Sequence, residues 1–448
     1  MSALQNAFWD EACADALSDE KLLAAMARFE GALAKASVAA GLVPAGAAAT
    51  IAEVAAGAKF DALELGRAAR RSATLAIPFV KSLTEQVAAV SPEAARYVHF
   101  GATSQDVIDT GVVLCLRLAS QRVTDLSKRV GDAAAALAQR HAETPVAART
   151  LLQPAIPVPF GWKAAVWLSM VARTHARFRT AAQEIRVLQF GGAGGTLSAY
   201  GAHGDAIADA LADELGLARA PVTWHSTRDG FARLGAEAAI LAGAGGKIAR
   251  DVSLLMQPEI GEAAEPSGAG RGGSSAMPHK RNPVGCLAAL EAAQRTPGLA
   301  STLLAQLAPE HERGIGQWQS QWFTLRDLFC STGSGLAAMA EVLEGLTIDE
   351  QAMRANLDRS RGLVYSENVS IHLARTLGKQ AAHALTEKLC ETAVREGKSL
   401  SEVLRADPAG KALDAKALEK LFDPLSTFGS AGAMIERALA EWKHAIQN

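Results

Sequence analysis

Apolar residues recur with a helical period along most of the chain. In the segment 18–41, four large apolar side chains stand at i, i+4, i+7 and i+11 and so share one face of a helix: Leu22, Met26, Phe29 and Leu33. Ser18 is a favourable N-cap residue, and Gly41 is a favourable stop signal. The pattern predicts an amphipathic helix whose apolar stripe packs against a core.

Five longer segments have the same period and predict helices well above the usual length of about 11–12 residues. These segments are residues 107–142, 160–187, 230–256, a stretch after Pro283, and 317–346. Their apolar residues occupy more than one face, so each helix has to be buried on several sides. Long helices with Gly/Pro connections predict a bundle that packs against copies of itself.

Strand-like alternation is scarce, and short hairpins are expected only near residues 149–158 and 188–200. We therefore predict an all-α protein with three domains. These are an N-terminal helical domain (1–105), a central long-helix bundle (106–350) and a C-terminal helical domain (351–448). The linker-like segment 262–273 lies between two long helices, where such loops are often functional lids.

Composition excludes several classes of protein. The hydrophobic fraction of 49% is ample for a large core, and the net charge of −2 gives no basic face for nucleic acid. The five cysteines are scattered without a C-x-x-C pair, which is not typical of a disulfide framework or a zinc site. No apolar run reaches the roughly 18 residues of a membrane span, and the first residues do not resemble a signal peptide. We expect a cytoplasmic protein with no membrane or nucleic-acid partner.

The loop 270–285, GRGGSSAMPHKRNPVG, combines glycines with hydroxyl and basic side chains. Its polar groups include Ser274, Ser275, His279, Lys280 and Arg281. Asn282 before Pro283 predicts the start of a helix, whose N-terminus favours anions. A glycine-serine connector before an ordinary capped helix explains each residue singly, but the combination favours an anion-binding loop. The spacing is not that of a P-loop.

Other polar residues stand at the ends of predicted elements. Thr103 and Ser104 begin a long helix, where plain N-capping is the alternative to ligand binding. Gln153 lies in an apolar, proline-rich segment, and a buried Gln there has to bond either backbone or a ligand. Arg228 can meet a carboxylate. The run of His311, Glu312 and Arg313 is better interpreted as a solvated or ion-paired helix end, and the glycine cluster 190–196 as a connector.

Together these stretches resemble the fumarase/aspartase superfamily, which includes adenylosuccinate lyase and argininosuccinate lyase. The superfamily signature G-S-S-x-M-P-x-K-x-N-P stands at residues 273–283 without departure. The Thr103–Ser104 pair and the segment from Arg149 to Gln153 match two further family regions in order. The resemblance implies an all-α, three-domain fold and a homotetramer whose active sites each combine regions from three subunits. It implies no metal and no cofactor.

The resemblance also implies roles for individual residues. Members of the superfamily add or remove a group across a C–C double bond next to a carboxylate. Ser274 is the expected proton-transfer residue, while Lys280 and Asn282 would hold and polarise that carboxylate. Thr103, Ser104 and Gln153 would position substrate carboxylates. The other expected substrate-binding residues are Ser275, His99, Arg228 and Arg281, and an acid such as His99 or His225 is the alternative to Ser274 for the proton transfer.

The chain departs from the pattern of fumarases and adenylosuccinate lyases at two positions. Those enzymes read R-T-H-x-Q and carry a Glu five residues after the signature Asn, whereas this chain has Leu151 and Leu287. Losing one partner alone would leave a charge unpaired, so the paired loss indicates different chemistry. An amine leaving group needs a general acid, but a departing carboxylate does not, and only one proton then moves at carbon.

The departures favour the lactonising branch of the superfamily, which the stretches 223–234, 246–266 and 310–322 also resemble. The implied reaction converts 3-carboxy-cis,cis-muconate to 4-carboxymuconolactone in protocatechuate catabolism, and its substrate is a small tricarboxylate. Adenylosuccinate lyase or a related C–N lyase is the alternative, although it should carry the His and Glu. A non-catalytic descendant of the fold is a third hypothesis, against which the intact signature argues.

Overall fold

A computed structural model of the chain describes residues 2–268, 270–274 and 276–447. The predicted ligand Ser275 lies outside the described residues. The described part is dominated by α-helices, with a few short strands, which confirms the prediction of an all-α protein. None of its helices combines the length and the apolar character needed to span a membrane.

The α-helices are α1 Ala3–Phe8, α2 Glu11–Ala16, α3 Asp19–Ala36, α4 Ala45–Gly57, α5 Ala62–Ala69, α6 Ala76–Val90, α7 Ser104–Arg140, α8 Phe160–Glu184, α9 Gly204–Leu215, α10 Asp229–Leu255, α11 Val284–Leu304, α12 Gln317–Glu344, α13 Glu350–Asp358, α14 Ser366–Leu377, α15 Lys379–Glu396, α16 Leu400–Ala406, α17 Pro408–Lys411, α18 Ala415–Leu421 and α19 Ala431–Gln447. Short 3₁₀ helices cover Ala94–Tyr97, Ser198–His203, Leu363–Tyr365 and Pro424–Thr427. The strands are β1 Pro145–Thr150, β2 Gln153–Pro159, β3 Ala263–Ala264 and β4 Thr347–Ile348. The five long helices predicted from periodicity are confirmed as α7, α8, α10, α11 and α12.

The chain divides into two compact units. The first comprises Met1–Ser127, Thr174–Gly243 and Glu291–Ala337, and the second comprises Lys128–Arg173, Ala244–Leu290 and Ala338–Asn448. In the first unit, α3 packs against α4 and α9. In the second, α14 packs against α15 around a hydrophobic cluster that includes Leu373, Leu389 and Leu404. The three-domain division stays a prediction.

Helix α3 follows from its sequence pattern. The Ser18 hydroxyl accepts from the N–H of Lys21 as the predicted N-cap, and the stripe residues after Leu22 are buried. The helix ends at Ala36, earlier than the predicted stop at Gly41. The Ser37 hydroxyl donates to the Leu33 carbonyl at 2.8 Å, and such a local side-chain bond competes with helix continuation.

Of the two expected hairpins, one forms. β1 pairs antiparallel with β2, and Leu151 and Leu152 form the two-residue turn between them. Both have positive φ, 53° and 65°, as a type I′ turn requires. Leucine in the left-handed region costs about 1–2 kcal/mol per residue, and both side chains are exposed, so the tip is strained and apolar. The hairpin expected at 188–200 is wrong, since this segment forms turns and a 3₁₀ helix.

Candidate active site

The signature loop is closed at its neck by a backbone hydrogen bond. The Asn282 N–H donates to the Gly272 carbonyl at 2.8 Å. Gly272 has φ +68°, and a Cβ there would lie 2.7 Å from the Asn282 carbonyl oxygen, so this neck requires glycine. The Asn282 side-chain amide donates to the Gly273 carbonyl at 3.4 Å. The two ends of the loop are therefore held together.

Within this loop, backbone N–H groups point at the Ser274 hydroxyl. Its Oγ accepts from the N–H of Met277 at 3.1 Å and from the N–H of Ala276 at 3.4 Å. Hydrogen-bond donors aimed at an oxygen stabilise negative charge that develops there. The loop thus holds donors in place for a serine alkoxide, whereas in water the solvent has to reorganise around that charge.

Two basic residues of the loop, Lys280 and Arg281, are exposed. The side chains of Lys280 and Arg281 form no ion pair or hydrogen bond within the described part of the chain. The Lys280 N–H donates to the Met277 carbonyl at 3.0 Å, which fixes its backbone in a turn. Both cations are therefore available to an anionic ligand.

The helix after the loop already holds a carboxylate at its N-terminus. It begins at Val284, one residue later than predicted, and the N–H groups of Gly285 and Cys286 donate to the buried Glu265 carboxylate at 3.0 and 2.7 Å. The Arg271 guanidinium lies 3.9 Å from the same carboxylate. The expectation that this N-terminus attracts a ligand anion is therefore corrected, because the anion it binds belongs to the chain.

At the start of α7, Asp106 ties several segments together. Its carboxylate accepts from the backbone N–H groups of Thr103, Gly191 and Gly192 at 3.0, 3.0 and 2.9 Å. The His225 Nε2 lies 2.7 Å from the same carboxylate. The glycine cluster is thus a connector, as predicted, and it is anchored because its N–H groups bond Asp106.

The Thr103 hydroxyl faces a cation. Its Oγ1 accepts from Arg313 Nη1 at 3.0 Å, and Arg313 Nη2 donates to the Ala193 carbonyl at 3.2 Å. The sequence interpretation of Arg313 as part of a solvated or ion-paired helix end is wrong, since its contacts go to the candidate residue Thr103 and to the connector. Ser104 is the first residue of α7 and is half-buried.

The carboxylate that Arg228 meets belongs to Asp109. Arg228 is buried and donates from Nη1 and Nη2 to the two Asp109 oxygens at 2.7 and 3.1 Å, and from Nε to Gln321 at 3.0 Å. Its guanidinium also lies 5.1 and 4.9 Å from the rings of Trp224 and Phe231. Its donor groups are therefore engaged in a structural network.

His225 is similarly engaged. Besides the contact to Asp106, its Nδ1 lies 3.2 Å from the Thr223 hydroxyl, so both ring nitrogens have partners within the chain. His99 differs, since its Nδ1 lies 2.6 Å from a Glu30 carboxylate oxygen and the residue has φ +57°. Of these two histidines, His99 is the better candidate for a ligand contact.

The hairpin tip and the start of α11 carry the two departures from the family pattern. Gln153 is exposed beside the tip, so the expectation of a buried Gln is corrected. Leu151 and Leu287 are 97% and 52% exposed. The neighbouring Arg149 is anchored by two 2.7 Å hydrogen bonds to the fully buried Glu262 carboxylate.

The chain is similar to known enzymes along most of its length. Residues 2–298 match the family model described as Lyase, and residues 362–438 match the model described as Adenylosuccinate lyase C-terminus. The chain is 47% identical to 3-carboxy-cis,cis-muconate cycloisomerase of Bradyrhizobium diazoefficiens, over 95% of this chain and 94% of that protein. It is 43% identical to nitrosuccinate lyase of Streptomyces davaonensis, over 96% of this chain and 93% of that protein.

A solved structure gives the same result for the fold. The 3-carboxy-cis,cis-muconate lactonizing enzyme of Pseudomonas putida is 42% identical and superposes with a TM-score of 0.95, covering 99% of each chain. The family match spans well over half of this chain, and the relatives exceed 40% identity across nearly all of it. The chain therefore belongs to the lyase family of the fumarase/aspartase superfamily.

Proposed function

We propose that this protein converts 3-carboxy-cis,cis-muconate to 4-carboxymuconolactone. The observation that carries the proposal is the Ser274 hydroxyl, which accepts two backbone N–H groups inside an intact signature loop. The 47% identity to a cycloisomerase supports the choice of substrate. Leucine at positions 151 and 287 fits a leaving group that needs no proton.

The reaction then needs one proton transfer at carbon. A carboxylate oxygen of the substrate forms a C–O bond to one carbon of the double bond, and the π electron pair moves to the neighbouring carbon. Lys280 and Asn282 hold the carboxylate that stabilises this carbanion. Ser274 gives its proton to the carbanion, the N–H groups of Ala276 and Met277 stabilise the alkoxide that remains, and solvent returns the proton. Holding the diene in a reactive shape adds to the rate, since the attack is intramolecular.

Further residues bind the remaining carboxylates in this proposal: His99, Thr103, Ser104, Gln153, Ser275 and Arg281. Arg313 joins them because its guanidinium donates to the Thr103 hydroxyl. Arg228 is better assigned a structural role, since its buried guanidinium is bonded to Asp109 and Gln321. It would act on the substrate through the network that orients the start of α7.

We also propose that the protein acts as a cytoplasmic homotetramer whose sites take residues from more than one copy. The family resemblance supports the assembly. Large apolar side chains on the long helices stay exposed in the single chain, among them Leu118, Val166, Ile240 and Phe323. Four of the five free cysteines are buried, which fits a reducing compartment.

A second candidate is elimination from a C–N bond. The 43% identity to nitrosuccinate lyase favours it specifically. A nitro group leaves as nitrite, an anion that needs no proton, so Leu151 and Leu287 do not argue against that substrate. They do argue against adenylosuccinate, whose amine leaving group needs a general acid.

The test is turnover of three substrates by the purified full-length protein. Ultraviolet absorbance would follow 3-carboxy-cis,cis-muconate, nitrosuccinate and adenylosuccinate at equal enzyme concentration. We expect the muconate to have the highest kcat/KM, and turnover of either C–N substrate without the muconate would overturn the proposal. A Ser274→Ala preparation controls for contaminating enzymes, since it should be inactive on every substrate of this site.

A further inference from the structure

We propose that Glu30 is a positioning residue that holds His99 as a cation facing the substrate's carboxylates. The inference rests on the proposed function and deepens it, because it adds a buried residue of α3 that the signature regions do not contain. His99 precedes α7, and Glu30 lies 69 positions earlier in the chain. The two residues belong to the same compact unit.

The pair has one buried end and one open end. The Glu30 side chain is 0% exposed, its Oε1 lies 2.6 Å from His99 Nδ1, and the His99 side chain is 17% exposed. Nδ1 is committed to the carboxylate, which leaves Nε2 as the nitrogen that can meet a ligand. Within the described part of the chain, Nε2 has no hydrogen bond. This arrangement, a carboxylate behind an imidazole, orients the ring and stabilises its charged form.

Two unfavourable features coincide at this contact. The second Glu30 oxygen, Oε2, is buried without a hydrogen-bond partner among the described residues, although a buried carboxylate normally needs full hydrogen bonding. His99 has φ +57°, a left-handed conformation that costs a non-glycine residue free energy. An apolar residue at position 30 would extend the buried stripe of α3 and avoid the first cost. We attribute their coincidence to the charge and the direction that the pair gives the imidazole.

The electrostatic surroundings favour the imidazolium. Burial opposes charge on His99, but the Glu30 carboxylate outweighs it, with a smaller contribution from Asp106, so the pKa of His99 is raised. Two other titratable side chains lie beside these carboxylates. His225 Nε2 is 2.7 Å from Asp106, and the Tyr200 phenol donates to the Phe100 carbonyl and stays neutral because burial raises its pKa. Because the pKa is raised, His99 keeps its proton to higher pH and loses it as pH rises through that pKa.

The experiment is Glu30→Gln in the full-length enzyme, with kcat and KM for 3-carboxy-cis,cis-muconate measured across pH. Gln keeps the size and an acceptor oxygen but removes the charge, so the alkaline limb of the kcat/KM profile should move to lower pH. At pH values between the His99 pKa of the variant and that of the wild type, we expect kcat/KM of the variant to be lower by about tenfold or more. At acidic pH, where His99 is protonated in either protein, kcat/KM should stay near wild type. An NMR titration of the His99 ring, assigned with His99→Asn, should move in the same direction.

A matched control separates charge from folding. Asp10 is another buried carboxylate of the same unit, paired with Arg122 at 2.9 Å, so Asp10→Asn should lower the melting temperature without moving the pH profile. If Glu30→Gln also lowers only the melting temperature, the role is structural and the inference is overturned. Wild-type kcat/KM in His99→Asn below the raised pKa, where His99 of the wild type is protonated, would overturn it as well. Asn tolerates the left-handed backbone, so this variant is informative if the Glu30 variant fails to fold.

Failure of the Glu30 inference can be told apart from failure of the proposed function. If the wild-type protein does not turn over the muconate, the proposed function fails, while the NMR titration still tests whether Glu30 holds the proton on His99. If turnover is normal and both variants keep the wild-type pH profile, the inference fails alone.

Discussion

The signature loop and the start of α7 both supply candidate residues, but the partners of those residues are near in sequence in the loop and distant in sequence at α7. In the loop, Ser274 is bonded by N–H groups two and three residues away. Around α7, His99 meets a partner 69 positions away, and Thr103 meets one 210 positions away. Lys280 and Arg281 of the loop are exposed, whereas Asp106 and Asp109 near the start of α7 are buried, as is Arg228, which bonds Asp109. Chemistry built from one local turn can be interpreted from a motif, but chemistry built from distant partners requires the fold.

Among the substitutions predicted here, Ser274→Ala in the signature loop should have the largest effect on kcat. Removing the hydroxyl removes the proton donor, so kcat should fall by about 10³-fold or more, while the oligomer and the helical circular dichroism stay intact. Ser267→Ala, at an exposed serine a few residues earlier, is the matched control and should keep wild-type kcat. Near-normal turnover by the Ser274 variant would reject its role.

Substitutions in the buried network near the start of α7 should mainly lower the free energy of unfolding. Arg228→Lys cannot keep both hydrogen bonds to Asp109, so the free energy of unfolding should drop by about 2–4 kcal/mol in denaturant titrations. Arg219 pairs with Asp205 and Asp209 at the surface, and Arg219→Lys should cost less than about 1 kcal/mol. A raised KM with unchanged stability in the Arg228 variant would instead favour direct substrate binding.

The smallest effect is expected where the family pattern is broken. Leu151→His restores the histidine found in C–N lyases, but it should not raise kcat for lactonisation, because the leaving carboxylate needs no acid. Leu152→His, at the adjacent exposed position of the same turn, controls for a polar ring at the hairpin tip. Steady-state assays on the muconate suffice, and a large rate gain from Leu151→His alone would contradict the leaving-group interpretation.

Several elements were predictable because their causes are local. The Ser18 cap, the five long helices and the hairpin expected near 149–158 follow from periodicity, capping and turn positions near in sequence. The start of α11 was predicted to within one residue, since Pro283 restricts where that helix begins. The expected hairpin at 188–200 failed because N–H groups of the glycine cluster bond the Asp106 carboxylate instead of a strand.

The missed residues share a different cause. Glu265 caps a helix 20 positions away, and the Arg313 and Glu30 contacts span still longer separations. One signal was present for Glu30, an acid four residues after Met26 on a buried apolar stripe. No comparable pattern marks Glu265 or Arg313, because loops of this length bring many acids and bases within reach of several partners.

The sequence by itself determined the helical class, the signature loop with Ser274, and the paired loss at Leu151 and Leu287. These depend on residue type and on spacing along the chain. Only the tertiary structure decided which charge meets which partner. It paired Arg228 with Asp109, a contact that spans 119 positions. The physical reason is that a buried charge without a partner costs several kcal/mol, so the folded chain has to pair it. The partner can lie anywhere along the chain, and no local sequence pattern specifies which residue it is.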